Sequence, residues 1–162
     1  MKITDILNEI NFYQRYREIC LAFANIDYTK QRPSKEFVLL FLNNIGYPAK
    51  YNSKDRLFIY KVPEGIYSFE YYFEIDGCGC DVSVCIKQTS TDWPLIAGFT
   101  GLLLSSKLYP STENDQVAGY MLFTPSQKEL ENALLKLKPI LDDLKKEIIP
   151  YLINDTLEFD IS

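Results

Sequence analysis

Two consecutive segments between Tyr67 and Lys87 constrain the fold most strongly, because their side chains alternate between apolar and polar. In the first segment, odd positions are Tyr67, Phe69, Tyr71, Phe73 and Ile75, and even positions are Ser68, Glu70, Tyr72 and Glu74. In the second, Cys80, Val82, Val84 and Ile86 alternate with Asp81, Ser83, Cys85 and Lys87. Asp76-Gly77 between them is a dipeptide favoured in tight hairpin turns. A period of two is typical of strands with one buried face, so the pattern predicts an antiparallel hairpin.

Further strands are predicted on both sides of this hairpin. Leu57 to Val62 reads as a strand that ends at the turn signal Pro63-Glu64-Gly65 and completes a meander. The apolar stretch from Leu95 to Leu104 contains two glycines, and we interpret it as irregular structure or strand. Pro110 to Gln116 is polar and predicts an exposed loop, and Val117 to Thr124 reads as one more strand.

Two helices are expected before the meander. Apolar residues recur at mixed three- and four-residue spacings from Thr4 to Phe23, with Thr4 as the candidate N-cap. A second helix begins after Ser34 and ends at Gly46. Its predicted apolar stripe consists of Phe37, Leu40, Phe41 and Ile45.

A long helix is predicted at the carboxyl end, with Ser126 as N-cap and Glu129 at the capping-box position. Its apolar stripe consists of Leu130, Leu134, Leu137, Leu141, Leu144 and Ile148. Pro139 falls inside it and predicts a kink or a break, because proline lacks the amide hydrogen of a helix interior. Beyond Pro150, Leu157, Phe159 and Ile161 alternate with acidic residues, which favours a last strand or a tail that orders on a partner.

These elements predict one α+β domain: two N-terminal helices, an antiparallel β-meander of three to five strands and a long kinked C-terminal helix. We place the domain at residues 1–150 and treat 151–162 as a C-terminal tail or edge strand. A chain of 162 residues fits one domain and buries about 70% of its unfolded surface.

The residue types exclude several kinds of catalytic site. The chain has no histidine, so catalytic triads and histidine-based acid–base chemistry are excluded. The spacing Cys78-x-Cys80-x4-Cys85 differs from that of zinc knuckles, so a metal site that also recruits Cys20 is the weaker alternative to reduced thiols. Glu70 and Glu74 lie about 13 Å apart along a strand, farther than glycosidase carboxylates. We expect no catalytic residue, no metal and no cofactor.

Charge is distributed unevenly along the chain. Residues 1–61 contain ten basic and six acidic residues, whereas residues 62–162 contain seven and sixteen. From Val62 to Ile86 there are five acidic residues and no basic one, and strand alternation predicts that Glu70, Tyr72 and Glu74 share a solvent-exposed face. Such a face suits a basic protein partner, and it also fits a surface that is only solvated. The predicted partner-binding residues are Glu70, Tyr72, Glu74, Asp76 and Asp81.

Other partners are not expected. A sequence pI near 4.8 argues against nucleic acid, and the N-terminal basic residues (Arg15, Arg17, Lys30, Arg32 and Lys35) are interleaved with apolar and acidic ones. No run of about 18 apolar residues and no export signal is recognisable, so we expect a cytoplasmic protein without membrane contact, as a monomer or homodimer.

In size, acidity, lack of histidine and order of elements, the chain resembles the small cytosolic immunity proteins that bacteria encode beside secreted toxins. The stretch FLNNIGYPAKYNSKDRLFIYKV is similar to the helix, Gly-aromatic, strand opening of several bacterial domains of that kind. This resemblance covers the general plan of the chain and transfers no site residue. It implies stoichiometric inhibition of a toxin. The alternatives are a secretion or assembly chaperone and a small-molecule-binding domain whose pocket would be lined by Trp93 to Leu104.

Overall fold

The computed structural model describes residues 1–23, 33–76, 79–89, 95–100, 122–123, 126–158 and 160. The predicted α+β class is confirmed. Within these residues the helices are α1 (Ile3–Glu9), α2 (Phe12–Ala22), α3 (Lys35–Asn44) and α4 (Gln127–Ile153). The strands are β1 (Lys50–Asn52), β2 (Leu57–Glu64), β3 (Tyr67–Asp76), β4 (Gly79–Gln88), β5 (Leu95–Thr100) and β6 (Leu122–Phe123).

All six strands belong to one antiparallel sheet in the order β1-β2-β3-β4-β5, and β6 also pairs with β4. The predicted β3–β4 hairpin is confirmed over ten residue pairs, from Tyr67 opposite Gln88 to Asp76 opposite Gly79. Strand β2 extends past its predicted end at Val62, and the turn lies at Gly65-Ile66, where Gly65 has a positive φ of 63°. Strand β1 was not predicted.

The sequence prediction of one helix from Thr4 to Phe23 is wrong. The chain breaks between α1 and α2, where Asn11 adopts a left-handed conformation with φ of 53°. Thr4 is not the N-cap of α1, since that position is Lys2. The amide and hydroxyl of Thr4 both donate to the carboxylate of Asp160, which therefore satisfies a free amide at the start of the helix.

The boundaries of α3 agree with the prediction, but its buried face does not. The Ser34 hydroxyl accepts a hydrogen bond from Phe37 N at 3.1 Å, and Gly46 has a φ of 96° after the helix. Val38 and Leu42 are the buried residues, whereas Leu40 of the predicted stripe is 60% exposed. The stripe is therefore displaced around the helix from its predicted position.

The predicted N-cap and apolar stripe of α4 are confirmed. The Ser126 hydroxyl accepts a hydrogen bond from Glu129 N, and all six residues of the stripe are buried. It continues through Pro139 as one helix, so the predicted alternative of a break is wrong. Pro139 and Leu135 lie on the exposed side, where a carbonyl without its helical donor can reach water. The helix passes Pro150 and ends at Ile153, and Leu152 belongs to the core.

The residues after α4 pair with the first residues of the chain. Glu158 N donates to Met1 O at 2.8 Å, and Glu158 O accepts from Ile3 N at 3.0 Å, which forms a parallel bridge with Lys2. The predicted loop at 110–116 and most of the predicted strand at 117–124 lie outside the described residues. The same holds for 101–104 of the apolar stretch, whereas Leu95–Thr100 is strand β5.

One face of the sheet, here called the inner face, forms the core with the helices. Phe69, Tyr71 and Phe73 of β3 are buried on it, and Tyr71 OH donates to Leu141 O of α4. Tyr47 lies in the connection from α3 to β1. Its ring centroid is 5.3 to 5.8 Å from the ring centroids of Tyr60, Tyr71 and Phe73. This aromatic packing leaves the opposite, outer face to the even residues of β3.

Candidate functional site

The outer face of the sheet contains all five predicted partner-binding positions. Strand register arranges its side chains in cross-strand rows. The rows are Lys61–Glu70–Cys85, Ile59–Tyr72–Ser83 and Leu57–Glu74–Asp81. Side chains directly opposite in an antiparallel pair lie about 4.5–5.5 Å apart at Cβ, so each row is one contact unit.

Glu70 is not part of an exposed acidic surface, so that prediction is wrong for this residue. It is only 3% exposed. Its carboxylate lies 3.0 Å from Lys61 Nζ and 3.0 Å from Lys87 Nζ, and it accepts hydrogen bonds from Ser68 Oγ and Tyr72 OH. Burying a carboxylate is unfavourable unless it is paired, and these four groups provide the pairing.

The same network restrains Tyr72. Lys87 Nζ donates to Tyr72 OH at 2.6 Å and lies 5.2 Å from the centre of its ring, while the hydroxyl donates to Glu70. Contacts at the ring and at the hydroxyl leave the side chain little rotamer freedom. Tyr72 is therefore held in one orientation, and it remains partly exposed.

The electrostatics of this cluster keep its charges at neutral pH. Burial by itself raises the pKa of Glu70, but hydrogen bonds from Tyr72, Lys87 and Lys61 outweigh it and lower that pKa below the ordinary value. Burial lowers the pKa of Lys87, but Tyr72 and Glu70 raise it by more. Burial and the hydrogen bond to Glu70 raise the pKa of Tyr72. The cluster thus consists of one carboxylate, its two lysine partners and a neutral phenol.

The residues nearer the β3–β4 turn behave differently, and we call Tyr72, Glu74 and Asp81 the hairpin patch. Glu74 and Asp81 are direct cross-strand partners, with Glu74 exposed and Asp81 partly buried. Neither carboxylate forms an ion pair with a lysine or arginine of the described residues. Burial and the Glu74 charge raise the pKa of Asp81, against a hydrogen bond from Val82 N. Like charges directly opposite destabilise a sheet.

Asp76 follows Glu74 on the same strand, and its backbone pairs with Gly79 at the end of the hairpin. Its side chain lies outside the described residues. Four of the five predicted residues thus have described side chains, and the structure divides them between the paired cluster around Glu70 and the hairpin patch. Tyr72 is common to both.

The described thiols are not activated. Burial raises the pKa of Cys85, and Glu70 adds to that effect against the opposing influence of Lys87. Burial also raises the pKa of Cys20 to about 12 and raises that of Cys80. A thiolate is the reactive form of cysteine, so these shifts disfavour nucleophilic chemistry. In the part of the chain that the structure describes, which omits Cys78, no three potential ligands are grouped to hold a metal ion.

A cavity of about 290 Å³ lies next to the hairpin patch, at the end of the sheet. It is lined by Pro33, Lys35, Val38, Tyr51, Asp55, Arg56, Phe58, Glu74 and Ile75. The lining therefore mixes two cations, two carboxylates and apolar side chains. It is not the pocket predicted from Trp93 to Leu104, whose side chains lie outside the described residues.

Sequence reasoning did not predict that Lys61 and Lys87 pair with Glu70 on this surface. The interval from Val62 to Ile86 contains no basic residue, yet both lysines flank it by one position. Each occupies an outward position of its strand. Lys61 lies directly opposite Glu70, and Lys87 lies diagonal to it. The two-residue alternation could have assigned both lysines to the outer face. Only the strand register shows that they lie next to Glu70.

Comparisons with known proteins found no matching family model, no matching curated protein and no matching solved structure. Among the helices that the structure describes, none is both long enough and apolar enough to cross a membrane.

Proposed function

We propose that this chain is a non-enzymatic protein-binding domain that binds a basic protein partner at the hairpin patch. The observation that supports this most directly is the cross-strand pair of Glu74 and Asp81 without a described cation. A lysine or arginine side chain from a partner, placed between the two carboxylates, would relieve their repulsion and would gain two charge-assisted hydrogen bonds.

Tyr72 would serve as the fixed aromatic contact beside this charged pair. Its ring lies in the row next to Glu74 and Asp81, and Glu70 with Lys87 restrains its hydroxyl. An aromatic side chain that is already ordered loses little entropy when a partner covers it. The network around Glu70 thus has a supporting role, because it orients Tyr72 without adding net negative charge to the contact.

Inhibition of a toxin is the biological form of this proposal that agrees with the resemblance to immunity proteins. A small domain that inserts carboxylates and a tyrosine into a basic cleft would block access of a polyanionic substrate. The overall charge of −5 would accelerate association with such a cleft at low ionic strength. A cytoplasmic location and a stoichiometric complex belong to the same proposal.

The test compares two neutralised variants in a pull-down from a lysate of the source cells at low and high salt. E74Q/D81N removes both patch charges, while E9Q/E18Q removes two charges from exposed helical positions and serves as the matched control. Glu70 is left intact, because its replacement would destabilise the fold. We expect one basic protein to be retained at low salt by the native chain and by the control, and its affinity for E74Q/D81N to fall at least tenfold.

Equal retention by E74Q/D81N would contradict the assignment of the hairpin patch. Recovery of no protein at either salt concentration would favour the second candidate, a small-molecule-binding domain. The 290 Å³ cavity supports that alternative, because it is adjacent to the patch and its walls carry both positive and negative side chains. These are Lys35, Arg56 and Glu74.

A further inference from the structure

Strand β1 lies at one end of the sheet that the described strands form. Its three residues pair with Leu57, Phe58 and Ile59 of β2, and no other described strand pairs with them. Apart from that ladder, no described backbone group forms a hydrogen bond to the backbone groups of Lys50–Asn52. In an antiparallel pair, alternate residues direct their N–H and C=O groups away from the partner strand. The outer edge of β1 therefore presents backbone groups to which another strand can be added.

A second cavity, of about 320 Å³, lies beside this edge. Its lining consists of Pro48, Lys50, Tyr51, Asn52, Ile59 and Lys61. Lys50 is the cross-strand partner of Ile59, which places both side chains on the outer face of the sheet. A strand added next to β1 would continue the two-residue alternation, so its outward side chains would be adjacent to Lys50 and to this cavity.

The edge is basic, unlike the rest of the chain. Residues 50–61 contain Lys50, Lys54, Arg56 and Lys61 against the single acidic residue Asp55, although the whole chain has a net charge of −5. Asp55 accepts a hydrogen bond from the Asn52 side chain within the turn. Lys61 pairs with Glu70 but is 59% exposed at its side chain. Charge complementarity therefore selects an acidic ligand.

From these features we infer that the outer edge of β1, to which no described strand is paired, binds an extended acidic peptide by strand addition. The peptide backbone pairs with β1, and one outward apolar side chain enters the cavity. Carboxylates two residues before and after it point to the same face and lie near Lys50 and Lys54. Main-chain pairing provides affinity, and the cavity and charges provide selectivity. Nucleic acid would use the lysines and leave the backbone groups and the cavity unused. This surface is separate from the hairpin patch and does not depend on the function proposed for it.

The experiment uses the full chain and a capped seven-residue peptide, Thr-Glu-Thr-Val-Thr-Glu-Thr, which presents valine and both glutamates on one face and is called the valine–glutamate peptide. Two-dimensional NMR of the backbone amides would map the binding, and amide hydrogen exchange would report new pairing at β1. Two comparison peptides separate the contributions: one has lysine in place of both glutamates, and the other is the valine–glutamate peptide N-methylated at alternate residues. We expect saturable shifts in residues 48–61, slower exchange in β1 and no comparable binding of either comparison peptide.

K50E/K54E should weaken binding of the valine–glutamate peptide about tenfold, because it reverses two charges at the edge. The control K128E/K146E makes the same change in net charge at two exposed positions of α4, and should bind within about twofold of the native chain. The inference is overturned by the absence of saturable shifts at millimolar peptide, by equal binding of the N-methylated peptide, or by shifts confined to the hairpin patch. Equal binding by K50E/K54E, or binding of duplex RNA at these residues in preference to the peptide, would also overturn it.

Discussion

The E70Q substitution tests the network on the outer face, since it removes the charge of a buried side chain and keeps its size. The glutamine amide replaces one acceptor oxygen by a donor. Tyr72 OH and Lys87 Nζ share Oε2 of Glu70, so an amide nitrogen in that position leaves both without their acceptor. In the other orientation, Ser68 Oγ and Lys61 Nζ lose Oε1. A hydrogen bond to a charged group contributes about 1.5–3 kcal/mol. The Lys61 contact adds at most about 1 kcal/mol because that lysine is mostly exposed. We therefore expect E70Q to lower the free energy of unfolding by about 2 kcal/mol at pH 7.

Urea unfolding followed by far-UV circular dichroism measures this change. For a chain of this length, about 2 kcal/mol corresponds to a decrease in melting temperature of about 4–8 °C. E74Q is the matched control on the same strand and face. Because Glu74 is exposed, its neutralisation should change the free energy of unfolding by no more than about 0.5 kcal/mol.

The pH dependence provides a second check. The pKa of Glu70 is lowered in the folded state, so its charge stabilises the fold above the unfolded pKa of about 4.3. That stabilisation is lost as the pH falls through the lowered folded pKa, and the difference between the native chain and E70Q should shrink in the same interval. A stability of E70Q equal to that of E74Q at pH 7, or a difference that does not shrink below about pH 4.3, would refute the reasoning.

Three further outcomes are expected. D81N should raise the free energy of unfolding by about 0.5 kcal/mol at pH 7, because burial and the opposite Glu74 raise the pKa of Asp81. Urea titrations should show this gain disappearing as the pH falls through that raised pKa towards about 3.9, and a less stable D81N would contradict it. S34A should cost about 1 kcal/mol through loss of the α3 cap, whereas S53A in the exposed β1–β2 turn should cost little; equal thermal stability of the two would exclude the cap. In a C78S background, Cys85 should react slowly with a disulfide reagent at pH 7 and faster as the pH rises, so rapid reaction at pH 7 would disprove the raised pKa of its thiol.

Much of the fold was predictable because its signals are local. The β3–β4 hairpin follows from two-residue alternation around Asp76-Gly77, and the α3 and α4 caps follow from Ser34 and Ser126. The break between α1 and α2 was missed because the apolar spacing continues across it and Asn11 carries no strong stop signal. Strand β1 was missed because three residues are too few to show a period.

The candidate site was predictable in part. Alternation correctly assigned Glu70, Tyr72 and Glu74 to one face. It could not show that Glu70 is buried and paired. Burial of a polar side chain depends on what lies across the strands, and Lys61 and Lys87 are separated from Glu70 by 9 and 17 positions.

The sequence by itself determined the elements whose causes lie within a few residues: the alternating strands, the capped helices and the absence of histidine chemistry. Only the tertiary structure decided which charges meet. Strand register opposes Lys61 to Glu70 and Glu74 to Asp81. One carboxylate is therefore buried in ion pairs with lysine, while the other two remain without a described cation. The physical reason is that Coulomb and desolvation energies depend on distance in space and on exposure to water, and neither is a property of sequence separation.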